Sequence, residues 1–177
     1  KMKGQSEIIS IDAVTSTAFS GSVMSSKLKD NSACQNSAKF LLRAAGMKDL
    51  GQLLFIEEQC FSSDRINRRQ MRYLLNRAKA LMLVAVDTSD KVVGYGLIFT
   101  PQLQRPARLY SLAVSQECRG HGLGQKLLAE LLQMARNKGF RSCVLEVRKS
   151  DKNTQLLYQR CDFKPVKLLP AYYADGE

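Results

Sequence analysis

The stretch Cys118 to Leu128, CRGHGLGQKLL, sets three glycines within five positions immediately before leucines at helical spacing, and this feature constrains the chain most. A strand-to-helix connection of this kind lets backbone N–H groups converge, because glycine reaches positive φ without steric cost. The first amides of the helix that follows add a partial positive charge. The guest that suits such a turn is a phosphate or pyrophosphate; the other reading is a tight connection and nothing more. Two specific phosphate motifs are excluded. Counted from Gly120 and Gly122, the sixth position of G-x-G-x-x-G is Gln125, and no Lys-Ser or Lys-Thr follows a second glycine as a nucleotide-triphosphate loop requires.

The 177 residues suit one domain with a sizeable core and leave no room for a second catalytic domain. A formal charge of +11 and a pI of about 9.6 favour an anionic partner, whether cofactor, acidic protein surface or nucleic acid. Apolar runs such as Leu81 to Val86 are far shorter than the roughly 20 residues a bilayer span needs, so no membrane association is expected. Five cysteines, at 34, 60, 118, 143 and 161, are scattered and free of C-x-x-C spacing, which argues against a disulfide framework or a zinc site and for a reducing cytoplasm. No metal is expected. Residues 1–37 are rich in Ser, Thr and Asn, with no sustained period, and read as a polar extension; Glu7 and Asp12 interrupt any secretory apolar core. The domain proper is expected over residues 38–177.

From Lys39 onward the pattern is regular. Lys39 to Ala45 reads as a strand; Leu50, Leu53, Leu54 and Phe61 mark a helix; Ile66, Met71, Leu74 and Leu75 set against Arg68, Arg69, Arg72 and Arg77 mark a second, basic helix. That basic face is either simply solvated or a nucleic-acid contact, and no aromatic stacking platform accompanies it. Two strands follow around the turn Thr88 to Lys91, then the strand ARLYSLAV. Next comes a helix with Leu127, Leu128, Leu131, Leu132 and Ala135 inward and Gly139 at its C-cap. FRSCVLEVRK reads as a strand, DKNTQLLYQRCDF as a short helix and KPVKLLPAYY as a last extended stretch. The order β, α, α, β, β, β, α, β, α predicts an α/β domain, antiparallel in its first half, with a parallel crossover at the glycine turn.

The strand LYSLAV followed by Arg119, Gly122 and Gly124 fits the acyl-CoA signature [QR]-x-x-G-x-[GA], and LEVR (145–148), LYQRCDF (157–163) and YYADGE (172–177) add to it. On these residues, from Lys39 to Glu177, the chain resembles the GNAT superfamily of N-acetyltransferases, in particular the branch that acetylates ribosomal-protein alanine termini. Glu58 to Arg69 is also similar to a bacterial group in which such a domain precedes a cysteine-peptidase-like domain. The resemblance implies a mixed, mostly antiparallel central sheet with helices on both faces and a splayed strand pair at the cofactor site. It implies acetyl-CoA as cosubstrate, its pyrophosphate on the amides of Arg119, Gly120, His121, Gly122, Leu123, Gly124 and Gln125. Its pantetheine arm would lie along Leu112, Ala113 and Val114 like an added strand, where one N–H can also polarise the thioester carbonyl.

Glu146 matches the family position that takes the amine's proton, directly or through water; otherwise it is a strand glutamate facing solvent. Tyr158 matches the general acid that protonates the leaving thiolate; otherwise its ring fills the core. An α-amine of pKa near 8 is neutral in roughly a tenth of molecules at pH 7, against fewer than about one lysine in a thousand. A single carboxylate base therefore favours a protein or peptide α-amine as acceptor, by direct transfer. A small amine, or a non-catalytic acyl-CoA-binding role, is the alternative.

Three departures from the family pattern stand out. Asp151 replaces the asparagine expected to touch the cofactor, with Asn153 the nearby amide that takes its part. Cys161, Asp162 and Phe163 replace Leu-Gly-Phe, and Asp tolerates the left-handed conformation better than most residues. The family's last strand follows YYADGE, where the chain stops at Glu177, so a sheet short of one strand, with an open edge beside the substrate groove, is expected. His121 is expected to lend only its backbone N–H, and Cys118 lacks a histidine base to make it a nucleophile.

Overall fold

The computed structural model describes residues 5–12, 40–76 and 79–170. Arg77, Cys34 and the YYADGE motif lie outside them. Strand β1 spans Gln5–Asp12, β2 Leu41–Ala44, β3 Ala80–Val86, β4 Val92–Phe99, β5 Ala107–Val114, β6 Ser142–Val147 and β7 Lys164–Pro170. The α-helices among the described residues are α1 Leu50–Cys60, α2 Arg68–Leu75, α3 Leu123–Asn137 and α4 Lys152–Gln159. The seven strands form one sheet in the order β2-β3-β4-β5-β6-β1-β7.

Every neighbouring pair is antiparallel except β5 and β6, which α3 joins as a parallel crossover. The expected strands and helices from Leu41 onward are all present.

The polar N-terminal segment is where the expectation is corrected. Gln5–Asp12 is a strand lying between β6 and β7, antiparallel to both, with Glu7 opposite Val147 and Ile8 opposite Glu146. The edge of β6 that was expected to lie open is therefore paired with the backbone of Gln5–Asp12. Pairing of this kind satisfies the backbone N–H and C=O groups of both neighbours, and needs no apolar period to be read in advance.

Strand β3 shows why the central run LMLVAV is apolar throughout. Leu81, Leu83 and Ala85 face one core with Leu127, Leu128 and Leu131 of α3, while Met82, Val84 and Val86 face the other with Leu53, Ile56, Met71 and Leu74 of α1 and α2. Successive residues alternate between two covered faces, so none is polar. Helix α3 lies close on β4: a Cβ at Gly96 would sit 2.5 Å from Leu131 Cδ1. On α1 the buried set is Leu50, Leu53, Ile56 and Glu57, so a carboxylate sits on the inward face where Leu54 and Phe61 are only half-buried.

Local signals close the elements. Asn67 caps α2 and pairs reciprocally with Gln70, both contacts at 2.9 Å. Gly139 ends α3 at φ +91°. Asp162, in place of the family's glycine, adopts φ +64°. Between β2 and α1, Arg43 grips the buried Asp49 with both terminal nitrogens at 2.8 Å, and Asp49 also accepts the Gly46 N–H at 2.9 Å. The guanidinium contact is the main reason the Asp49 carboxyl is held below its ordinary range.

Candidate active site

Strands β5 and β6 pair only at Ala107 with Cys143 and Arg108 with Val144, and then part. Beyond that point, among the described residues, β5 has only β4 as a sheet partner. The Ser115 N–H donates to Val93 O at 2.8 Å, so by the two-residue period Ala113 also faces β4, while Leu112 and Val114 turn their backbone groups to the open side. Val114 O confirms that direction by accepting Arg119 Nε at 3.0 Å and the Cys60 Sγ–H at 3.5 Å. A register shift between Leu97 and Ile98 leaves Tyr110 as an extra residue on β5, the bulge from which the strand bends away.

The glycine turn lies at the end of this strand. Gly120 and Gly122 have φ of +82° and +71°, which other residues adopt only under strain. Gly122 begins α3 with no side-chain cap, and the first helical bond is Lys126 N–H to Gly122 O at 3.0 Å. The amides of Leu123, Gly124 and Gln125 therefore point out of the helix end, available to an external acceptor. Gly124 differs from its neighbours: an added Cβ would meet Leu157 and Val114 at 3.6 and 3.8 Å, ordinary contact, so the fold itself does not demand glycine there.

The Arg119 N–H is engaged with Gln116 O at 3.3 Å, and its side chain braces the turn against β5, so the outward-facing amides begin at Gly120. His121 is exposed and Cys118 half-buried.

A cavity of about 530 Å³ opens where β5 and β6 part. The splayed strands supply Ser111, Leu112 and Glu146; α4 supplies Tyr158; α1 and the loop after it supply Glu57, Cys60 and residues 61–64. Along β6, Cys143, Leu145 and Val147 are buried, so Glu146 takes the opposite face and borders the cavity, its side chain 13 % exposed. Arg108 Nε donates to Glu146 Oε2 at 3.0 Å. Tyr158 is 6 % exposed, tilts its ring on Phe163 with centroids 5.6 Å apart, and also borders the cavity. Its ring therefore packs in the core while the residue also reaches the cavity wall.

Asp151 caps α4, accepting Thr154 N–H at 3.0 Å and the Thr154 hydroxyl at 2.6 Å. That explains an aspartate where an asparagine was expected, since a helix start rewards a carboxylate. Asn153 is exposed on α4 and does not border the cavity.

Sequence reasoning missed Glu57. It is 2 % exposed, yet borders the cavity. Its carboxylate accepts the Tyr95 hydroxyl and, at 2.6 Å, the Ile66 N–H; Tyr95 Oη lies 2.7 Å from Ser111 Oγ. Burial pushes its carboxyl above the ordinary range, opposed by these hydrogen bonds and by Arg65. The available signal was a glutamate on the inward face of α1, and only the distant Tyr95 and Ser111 make it meaningful. Arg108, Arg148 and Ser111 were likewise not anticipated.

The profile of the Acetyltransferase (GNAT) family matches residues 50–163. The chain belongs to the GNAT family of acetyltransferases. It is 32 % identical to an N-alpha-acetyltransferase of Saccharolobus solfataricus over 149 residues, 78 % of this chain and 88 % of that one. It is 27 % identical to a putative [ribosomal protein bS18]-alanine N-acetyltransferase of Bacillus subtilis, covering 78 % and 89 %. In fold it resembles the crystal structure of the ribosomal-protein-S18-alanine N-acetyltransferase from Escherichia coli, with a TM-score of 0.70 at 20 % identity, covering 78 % of this chain and 88 % of that one. It also resembles an N-acetyltransferase from Thermoplasma acidophilum in complex with coenzyme A, with a TM-score of 0.64 at 17 % identity over 70 % and 88 %. It is an N-acetyltransferase enzyme, and its mixed, mostly antiparallel sheet with helices is the GNAT fold. Among the described residues no helix is long and apolar enough to cross a membrane.

Proposed function

We propose that this GNAT enzyme moves the acetyl group of acetyl-CoA directly to the α-amine of a peptide or protein. The observation that carries the reading is that Glu146 and Tyr158, an acceptor and a donor of protons, border one cavity at the mouth of the splay. Relatives that are N-alpha-acetyltransferases or ribosomal-protein-alanine acetyltransferases support the α-amine over a side-chain or small-molecule amine.

The residues present fit the cosubstrate. The outward-facing backbone of Leu112 and the Val114 N–H suit an amide-bearing pantetheine arm, while Val114 O is held by Arg119 and Cys60 and Ala113 is tied to β4. The amides from Gly120 to Gln125, at the uncapped end of α3, suit a pyrophosphate. A net charge of +11 draws an anion of this kind. When bound, acetyl-CoA supplies an activated acyl group as a thioester.

In this reading the Glu146 carboxylate, held by Arg108, takes a proton from the incoming ammonium so that the neutral amine attacks. Tyr158 Oη returns a proton to the departing sulfur. A backbone N–H on the open side of β5 stabilises the oxygen that becomes negative. Asp151 contributes by capping α4, the helix that holds Tyr158. The reading places the protein in the cytoplasm, supported by scattered cysteines, of which 60, 118, 143 and 161 are free.

The test is calorimetry with acetyl-CoA, followed by a thiol-release assay over a panel of peptides and polyamines. Binding, with transfer to peptide N-termini, supports the reading. Transfer to polyamines alone moves the acceptor to small amines, and binding without any transfer leaves an acyl-CoA-binding module.

A further inference from the structure

We propose that Glu57 is a positioning residue whose carboxylate clasps the acceptor-side loop of the cavity to the bulged strand β5. The proposal rests on the acetyl-transfer reading of the same cavity. Three elements distant in sequence meet at this one group. Oxygen Oε2 takes the Ile66 N–H at 2.6 Å, at the end of the loop 61–66 that walls the cavity. Oxygen Oε1 takes the hydroxyl of Tyr95, a fully buried residue of β4. Tyr95 Oη in turn lies 2.7 Å from Ser111 Oγ, beside the bulge at Tyr110 and itself on the cavity wall. The middle of the loop has a separate tether, Arg148 to Ser63 Oγ at 3.3 Å.

A buried carboxylate is costly unless its hydrogen bonds are met, and here they are met by the Ile66 backbone N–H of one cavity wall and by the buried Tyr95 hydroxyl, which links to Ser111 of the other wall. Its two oxygens thereby set the separation between the loop and the open edge of β5. An acceptor amine must reach that edge between them, and small misplacements of such a wall cost catalysis heavily. Glu57 itself is too enclosed to serve as the surface an acceptor rests on. It acts through Ile66 and Ser111.

Two substitutions in the full chain separate geometry from charge. Glu57→Gln keeps the reach and loses the charge: its carbonyl accepts the Ile66 N–H and its amide donates to Tyr95. Glu57→Asp keeps the charge and loses one methylene of reach, so both contacts are not made together. Expected is an acceptor KM raised about ten-fold in Glu57→Asp and within about two-fold of wild type in Glu57→Gln, with acetyl-CoA affinity by calorimetry unchanged in both. Amide hydrogen exchange over residues 61–66 is expected to accelerate in Glu57→Asp alone. The reverse ranking, with Asp rescuing and Gln failing, overturns the proposal, as do two variants alike in acceptor KM and in loop exchange. If the wild type transfers acetyl to no amine, the transfer reading falls, and the loop exchange, which needs no acceptor, still decides the clasp.

Discussion

Arg108 Nε lies 3.0 Å from Glu146 Oε2, joining the last β5 residue paired with β6 to a glutamate two positions beyond its partner Val144. The ion pair stands at the point where the strands part, so the carboxylate is oriented at the mouth of the cavity. Glu146→Gln is expected to lower kcat by about 100-fold or more, within the usual contribution of a positioned base. Tyr158→Phe is expected to lower it less, with Arg108→Gln milder still, since Arg108 orients and does not transfer a proton. The check is thiol release under saturating acetyl-CoA, and an Arg108→Gln loss equal to that of Glu146→Gln would show the arginine acting on substrate directly.

Gly122 and Gly124 are expected to fail differently. Gly122 has φ +71°, so Gly122→Asp strains the turn and brings a negative charge to the helix end; acetyl-CoA binding is expected to vanish and Tm to fall. Gly124→Ala meets only ordinary contacts, so Tm is expected to hold or rise slightly while affinity falls about ten-fold or more, as the methyl occupies the close approach of an outside group. Calorimetry beside thermal denaturation separates the two.

Strand β1 is expected to be part of the fold's stability, since it pairs with both β6 and β7. Deleting residues 1–12 leaves the facing edges of those strands without partners. A loss of about 3 kcal/mol would lower Tm by roughly 6–12 °C for a domain of this size. An unchanged Tm would show that the sheet does not depend on this strand.

The Arg43–Asp49 contact has a defined pH signature. Asp49 is depressed below its unfolded value of about 3.9, so its contribution is complete above that pH and is lost as pH falls through the lower folded value. Glu57, raised by burial, works in the opposite sense, its contribution complete below its unfolded value and lost as pH rises through the folded one. Asp49→Asn is expected to cost about 2 kcal/mol at pH 7, with the difference from wild type shrinking below about pH 4. Thermal denaturation from pH 7 to 3 reads both quantities.

What was legible in the sequence is what neighbouring residues decide among themselves. The glycine turn, the leucine face of α3 and the doubly buried run of β3 follow from periods of 3.6 and 2 and from backbone freedom at single positions. The left-handed Asp162 was equally local, and it adopts φ +64°. Glu146 and Tyr158 were found through a motif, and their shared cavity came only with the fold.

Tertiary structure decided whatever depends on partners far along the chain. Gln5–Asp12 carries no apolar period, and its place between β6 and β7 is set by two strands 130 or more residues away. Glu57 could not be singled out from its own helix, because Tyr95, Ser111 and the Ile66 amide are needed to make its burial favourable. The short pairing of β5 with β6 is likewise a matter of bulge and crossover geometry. Local sequence carries backbone propensity and burial period, whereas strand order and the partners of a buried charge are settled only when distant segments compete for the same hydrogen bonds.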